Sequence, residues 1–168
     1  MMSAITMADL LTPERVLPRL RVRDKAKALQ ALAALIARDA GVSENALLAG
    51  LLLAADFPPF MPRGGVSLFH TVLSGMQRPM AAFARLDPAL HLGAADGCPT
   101  DLALMLASPE ERPQDHLRAL ACIARRLRRR DVLEGLRSSR SRDLMFVLLT
   151  RDERADSPAD RPLLRKRV

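Results

Sequence analysis

The sequence predicts an α/β (α+β) protein in which a mixed β-sheet is sandwiched between helices. Residues 24–52 and 115–149 carry apolar positions at helical spacing, whereas residues 66–106 hold short apolar runs typical of strands. The chain has 168 residues, of which 49% are hydrophobic, so we expect one domain with a sizeable core. An order of helices, strands and helices around one core predicts this layered architecture.

The first strand is predicted at an edge of the sheet. Thr12 is a candidate N-cap, and Pro13 occupies the first helical position of a short turn that precedes the strand. Val16–Leu20 then forms a short strand. Pro18 confines this strand to an edge, because proline cannot donate a ladder hydrogen bond.

Two helices are predicted after this strand. Apolar side chains recur at helical spacing through residues 24–39, and Gly41 ends that helix. Ser43 is the predicted N-cap of the second helix. The inward face of the second helix is expected to comprise Leu47, Leu48, Leu51 and Leu52.

A stiff loop and three strands are predicted in the middle of the chain. Residues 56–65 lack periodicity and are rich in proline and glycine, which indicates a loop with restricted backbone freedom. Strands are predicted at residues 66–70, 80–86 and 100–106. The last of these is an apolar run suited to a central strand that is covered on both faces.

Three helices are predicted in the last third of the chain. The first begins at Asp115 and projects its arginines outward, and two shorter helices follow at residues 131–136 and 141–149. The buried face of the first helix is expected to comprise Leu117, Leu120, Ala121, Ala124 and Leu127. In domain terms, we expect an extension at residues 1–7, the folded domain at residues 8–150 and a flexible basic tail at residues 151–168.

The net charge of +7 raises the question of nucleic-acid binding. Residues 125–130 and 165–167 hold much of the positive charge, and the chain lacks Trp and Tyr, on which bases commonly stack. Arginines near the end of a helix are also favoured by the helix dipole. We therefore expect a charged surface and no nucleic-acid partner.

Cysteine usage and hydropathy exclude further classes of protein. Cys98 and Cys122 form neither a disulfide framework nor a metal-ligand cluster, so both are expected to be buried, reduced thiols. No run approaches the roughly twenty apolar residues of a membrane span, and the N-terminus lacks the features of a signal peptide. The expectation is a cytoplasmic protein without a metal or other cofactor.

Two histidines are the candidate reactive groups. His70 ends the apolar run at residues 65–70, and His116 opens the amphipathic helical pattern further along the chain. An imidazole is a nucleophile whose pKa near neutrality suits reversible phosphoryl transfer. From the spacing alone, a purely structural histidine at a strand end remains the alternative.

Five segments, taken in their order and spacing, carry a family resemblance. They occupy residues 9–16, 65–70, 78–86, 96–102 and 116–124. The second segment, Gly65-Val66-Ser67-Leu68-Phe69-His70, matches the pattern Gly-Val-Ala-Ile-Pro-His. Across about residues 8–149 the chain resembles the IIA domain of the mannitol/fructose class of the bacterial phosphotransferase system, in its nitrogen-regulatory (PtsN-type) branch.

This resemblance implies a mixed sheet between helices and a phosphoryl carrier that is not a multiple-turnover enzyme. His70 would accept a phosphoryl group from a histidine-containing phosphocarrier protein, and His116 would lie against it and stabilise the phosphate. The two imidazoles are therefore expected to lie close enough to share one phosphate. Arg63, Gly64 and Gly65 are expected to bind the phosphate from the loop before the strand. The protein would regulate target proteins by its phosphorylation state, without a cofactor.

The loop before the active histidine departs from the family pattern. Ala54-Ala55 stand where the family has an Arg-Glu pair, and Pro59-Phe60 stand at its Ser-Thr position. Arg63 replaces a glycine, which would let it supply the lost positive charge, and Phe69 replaces a proline. Two hypotheses follow: a working phosphoacceptor, or a degenerate relative that binds partners without efficient phosphorylation.

Two other features have an open interpretation at this point. His91 matches no family site and is expected either at the surface or as a satisfied histidine of the core. The second feature is the group Phe57, Phe60 and Met61. These side chains would either form an exposed apolar rim for partner docking or pack inside the loop.

Overall fold

The structure, a computed structural model, describes residues 4–54, 64–94 and 96–151. In chain order the elements are α1 Met7–Leu10, a 3-10 turn Pro13–Arg15, β1 Val16–Leu20, α2 Lys25–Ala40, α3 Glu44–Ala54, β2 Val66–Leu73, β3 Met80–Leu90, β4 Thr100–Pro109, α4 Pro113–Leu127, α5 Arg130–Ser138 and α6 Arg142–Thr150. Within the described ranges, every helix is too short or too polar to cross a bilayer.

The four strands form one mixed sheet in the order β1-β3-β4-β2. β1 pairs with β3 in parallel, β2 pairs with β4 in parallel, and β3 and β4 are antiparallel. β1 is an edge strand, as Pro18 predicts, and β4 lies inside the sheet. The predicted α/β fold with a mixed sheet is confirmed.

Helices cover both faces of the sheet. Successive side chains of a strand point to opposite faces, so β4 packs against both layers of helices. On one face, the even-numbered leucines of β4 pack in a buried cluster with residues of α1, α4, α5 and α6. On the other face, Ala103, Met105 and Ala107 pack in a second cluster with residues of α2 and α3. The even-numbered residues of β4 therefore face α4.

The predicted ends of α2 and the start of α3 are confirmed by their capping contacts. The side chain of Asp24 accepts a hydrogen bond from the backbone N–H of Lys27 at 2.9 Å, and Gly41 ends α2 with φ at +68°. Oγ of Ser43 accepts a hydrogen bond from the N–H of Ala46 at 3.3 Å. Polar caps therefore set these boundaries.

All three strands of the middle region run further than predicted. β2 continues to Leu73, β3 to Leu90 and β4 to Pro109. β2 and β4 are longer than predicted because they pair with each other: Thr71, Val72 and Leu73 pair with the last three residues of β4. His70 consequently lies within β2 rather than at its end.

The prediction of inward-facing side chains is wrong at several helix positions. Leu52 is 74% exposed on α3, although Leu47 and Leu51 are buried. On α4, Leu117 is 64% exposed and Ala121 is exposed as well. The buried residues of α4 are His116, Ala119, Cys122, Ile123, Ala124, Arg126 and Leu127.

Arg126 explains why the predicted orientation of α4 was wrong. Its side chain was expected to project outward, but it is 2% exposed. The guanidinium donates hydrogen bonds to the backbone carbonyl of Leu148 on α6. Since that contact offsets part of the cost of burying the charge, α4 can turn an arginine toward the core.

Cys122 is buried as predicted, whereas Cys98 is exposed, so the prediction of a buried thiol is wrong for Cys98. Both cysteines are free. Cys98 lies in the segment before β4, where its backbone N–H donates to Oδ1 of Asp96 at 3.0 Å. This turn contact holds the residue at the surface.

Gly65, which precedes β2, is held in a backbone conformation that disfavours other residues. Its φ is +83°, and an added Cβ would lie 2.8 Å from Oδ1 of Asp101 and 3.2 Å from the carbonyl oxygen of Pro99. Its own carbonyl accepts hydrogen bonds from the N–H groups of Asp101 and Leu102. The start of β2 is therefore fixed against the start of β4.

We predict that Gly65→Ala lowers the free energy of unfolding by about 2–5 kcal/mol, the sum of a left-handed backbone penalty and a steric clash. Gly93→Ala is the matched control, because Gly93 has φ at +81° but open space around it. It should lose only about 1–2 kcal/mol. Urea denaturation measures both values, and equal losses would show that the predicted clash at Gly65 is absent.

Candidate functional site

His70 and His116 lie against each other on the face of the sheet that α4 covers. Nδ1 of His70 lies 3.1 Å from Nε2 of His116, which is a hydrogen-bond distance. The ring centroids are 5.2 Å apart and the ring planes are inclined by 46°. The expected proximity of the two imidazoles is therefore present.

A strand and a helix each position one of the two histidines. His70 pairs in register with Leu106 of β4, so the ladder between β2 and β4 fixes its backbone. His116 lies near the start of α4, on the face that also buries Ala119 and Ile123. Packing of α4 against the sheet brings the two side chains together.

A buried serine extends this pair. Oγ of Ser108 lies 2.9 Å from Nδ1 of His116, so hydrogen bonds connect Ser108 to His116 and His116 to His70. Ser108 has no exposed surface and stands next to the last residue of β4. We call these three side chains the Ser-His-His chain.

Ser108 was not predicted as a site residue, because the last strand was predicted to end at residue 106. The alternation of side chains along that strand could have identified Ser108. Leu102, Leu104 and Leu106 share one face, and the next position on that face is the only polar one of the four. A serine that continues an apolar face toward a candidate histidine could have been identified as its partner.

Burial weakens both imidazoles as bases. His116 is 9% exposed, and its burial lowers its pKa from 6.5 to about 4, with a smaller contribution from the charge of His70. Burial also lowers the pKa of His70. Both rings are therefore neutral at pH 7, and each carries one N–H and one lone pair.

The hydrogen bond between the rings leaves Nε2 as the remaining nitrogen of His70. Nδ1 is engaged by His116, so a group that binds the His70 ring has Nε2 available. His116 contacts the opposite ring nitrogen, and it would have to move to donate a hydrogen bond to a phosphate on Nε2. In this arrangement His116 orients the ring of His70.

The structure does not bring the predicted binding glycines to the histidines. Gly65 precedes β2, and the rise of a strand places it about 16 Å along the chain from His70. The N–H of Gly64 donates to Oδ2 of Asp96 at 3.1 Å, and its carbonyl accepts from Arg137. The backbone groups of Gly64 are thus engaged at the far end of β2.

The other residues singled out by the sequence have different outcomes. Arg63, Phe57, Phe60 and Met61 lie outside the described residues. His91 is exposed in the segment that follows β3, in agreement with a surface histidine. In the part of the chain that the structure describes, no three His, Cys, Asp or Glu side chains are grouped so as to hold a metal ion.

Two exposed apolar residues lie close in sequence to the two histidines. Val72, which is 40% exposed, lies two residues after His70 on the same face of β2. Leu117 follows His116 in α4 and is 64% exposed. We call these two residues the apolar border of the site.

The lowered pKa of His116 predicts how stability depends on pH. In the unfolded chain the ring takes up a proton near pH 6.5, whereas in the folded protein it does so near pH 4. Between these values the unfolded state binds more protons, so the free energy of unfolding falls as the pH drops from about 6.5 to about 4. Urea denaturation at about pH 7.5 and about pH 5 measures this loss.

His116→Gln should lose less stability between the two pH values than the wild-type protein, because glutamine does not titrate. Ser67→Ala, which alters a buried side chain without removing a titratable group, is the matched control and should lose as much as the wild type. If wild type and His116→Gln lose the same stability, burial does not disfavour the charged form of His116.

Comparisons with known proteins identify a family for this chain. The sequence pattern of the family described as phosphoenolpyruvate-dependent sugar phosphotransferase system, EIIA 2, matches residues 9–151. A nitrogen regulatory protein of Bradyrhizobium diazoefficiens is 38% identical over 143 residues, which cover 85% of this chain and 94% of that protein.

Solved structures show the same fold. The nitrogen regulatory protein IIA-Ntr from Neisseria meningitidis superposes with a TM-score of 0.79 at 22% identity, covering 86% of this chain and 99% of that one. Enzyme IIA-Mtl, in its complex with phosphorylated enzyme IIB-Mtl from Escherichia coli, gives a TM-score of 0.69 at 14% identity. That match covers 83% of this chain and 96% of the other.

Proposed function

This chain belongs to the EIIA 2 family of the phosphoenolpyruvate-dependent sugar phosphotransferase system, and we propose that it carries a phosphoryl group on His70. Its role is regulatory and of the phosphotransferase-system type. In our proposal a histidine-containing phosphocarrier protein donates the group in the cytoplasm. Regulatory target proteins then respond to whether His70 carries it.

The hydrogen bond between the two histidines is the observation that carries this proposal. It engages Nδ1 of His70 and leaves Nε2 as the nitrogen that can attack phosphorus. The lowered pKa of His70 supports the same role, because a neutral imidazole has the lone pair that a nucleophile needs.

The proposed reaction exchanges one phosphorus–nitrogen bond for another. The lone pair of Nε2 of His70 forms a bond to phosphorus, and the bond between phosphorus and the carrier's histidine breaks. The electron pair of that bond returns to the carrier's imidazole nitrogen. Each ring keeps its own proton, so the exchange consumes no water.

His116 has an orienting role in this reaction. When Nε2 of His70 is unprotonated, Nδ1 of His70 carries the proton and donates to Nε2 of His116, which lies 3.1 Å away. This hydrogen bond holds the ring while Nε2 of His70 attacks phosphorus or leaves it. As the phosphorylated ring gains positive charge, this hydrogen bond becomes charge-assisted and stronger. Any contact of His116 with the phosphate itself would follow a movement of its ring.

The apolar border is suited to a protein donor. Val72 and Leu117 expose apolar surface beside the histidine pair, and such surface next to a reactive group favours docking of another protein. The Escherichia coli neighbour was solved in complex with a phosphorylated protein, and this agrees with a protein partner.

A degenerate partner-binding protein is the second candidate function. The observation that favours it is Ala54-Ala55, which occupy the position of the family's Arg-Glu pair and offer no charge to a phosphate. Removing one charged hydrogen-bond donor costs roughly 1.5–3 kcal/mol, or about one to two decades in a rate. Such a protein would keep the fold and the apolar border.

Labelling by a phosphorylated carrier tests the proposal. We predict that the wild-type protein gains one phosphoryl group by mass, that His70→Ala abolishes labelling, and that His116→Ala slows it by about ten- to a hundredfold. His91→Ala is the matched control and should be labelled like the wild type, since its ring is exposed outside the site.

A family member with the Arg-Glu pair must be labelled in parallel, to establish that the carrier is active. If that protein is labelled and this chain is not, the phosphoacceptor function is wrong and the partner-binding function replaces it. Labelling that persists in His70→Ala would place the phosphoryl group on another residue.

A further inference from the structure

We propose that Ser108 is a positioning residue: its hydroxyl accepts a hydrogen bond from Nδ1–H of His116 and thereby makes the nucleophilic form of His70 available. The inference rests on the proposed phosphoacceptor function of His70. It adds a residue whose side chain contacts neither the phosphocarrier nor the phosphoryl group. Ser108 would act entirely through His116.

Geometry places Ser108 at the inner end of the Ser-His-His chain. Its Oγ lies 2.9 Å from Nδ1 of His116, while Nε2 of the same ring lies 3.1 Å from Nδ1 of His70. Ser108 is fully buried, so water does not compete for His116 on that side. The backbone of Ser108 is fixed by its pairing with Val72 of β2.

Two arrangements of protons satisfy both hydrogen bonds when the rings are neutral. In the first, His116 donates from Nδ1 to Ser108 and accepts at Nε2 from Nδ1–H of His70. Nε2 of His70 then has a free lone pair. In the second, Ser108 donates to Nδ1 of His116, His116 donates from Nε2 to His70, and Nε2 of His70 carries the proton.

Phosphoryl transfer to Nε2 of His70 requires the first arrangement, since a protonated Nε2 has no lone pair with which to attack phosphorus. The first arrangement in turn needs an acceptor for Nδ1–H of His116. A buried N–H without an acceptor costs about 1–3 kcal/mol, and orphaned buried donors are rarer than under-satisfied acceptors. The Ser108 hydroxyl is the acceptor that the structure places there.

Ser108→Ala should therefore shift the pair toward the second arrangement. Nε2 of His70 becomes protonated in a larger fraction of molecules, and transfer from the carrier slows by about three- to tenfold. Ser108→Thr keeps a hydroxyl and should keep the wild-type arrangement. The matched control is Ser67→Ala, because Ser67 is an equally buried serine that bonds to Thr100 instead of a histidine.

The experiment measures the ¹⁵N chemical shifts of the ring nitrogens of His70 and His116 by NMR, in unphosphorylated protein at about pH 7.5, where both rings are neutral. Transfer rates from the carrier are measured on the same variants. We expect an unprotonated Nε2 on His70 in the wild type and in Ser108→Thr and Ser67→Ala, and a shift toward protonation in Ser108→Ala.

A wild-type His70 with a protonated Nε2 would overturn the inference. The same conclusion would follow if Ser108→Ala left the ring protons of both histidines unchanged. A merely structural role for Ser108 would lower stability without moving these protons. Because the shifts are read before any phosphorylation, failure of the proposed function, seen as an unlabelled wild type, is distinguishable from failure of this inference.

Discussion

Eight consecutive residues of β2 pair with β4 in parallel, and this ladder fixes where the reactive histidine stands. It sets His70 opposite Leu106 and places Ser108 two positions further along the same face of the neighbouring strand. α4 then covers that face and supplies His116 between the two. A shift of the ladder by one residue would turn His70 toward α2 and α3 and separate it from both partners.

The lowered pKa of His116 follows from this packing. Because His116 is enclosed between the sheet and α4, its charged form is disfavoured and its pKa falls to about 4. A charged His116 would repel a phosphohistidine ring that carries positive charge, whereas the neutral ring accepts its N–H. Burial of His116 therefore lowers the stability of the protein at acidic pH. At neutral pH the same burial keeps His116 uncharged, so that it can accept the N–H of His70 while His70 reacts.

The sequence predicted the class of fold and the histidine pair, and it failed where tertiary packing decides. The caps Gly41 and Ser43 and the edge proline Pro18 act locally, so their consequences were predictable. The orientation of α4 was not, because the cost of burying Arg126 is partly offset by a carbonyl on α6 that no local pattern reveals. Ser108 was missed for a similar reason, since the length of β4 is set by its partner strand.

The family pattern placed Gly64 and Gly65 near the phosphate, whereas the extended strand carries them to the far end of β2.

In our proposal, Nε2 of His70 is the nitrogen that receives the phosphoryl group. The most direct measurement is ³¹P and ¹⁵N NMR of the phosphorylated, ¹⁵N-histidine-labelled protein, in which coupling between phosphorus and nitrogen identifies the bonded atom. We predict coupling to Nε2 of His70, with Nδ1 still hydrogen-bonded to His116. Coupling to Nδ1 of His70, or to a nitrogen of His116, would contradict it.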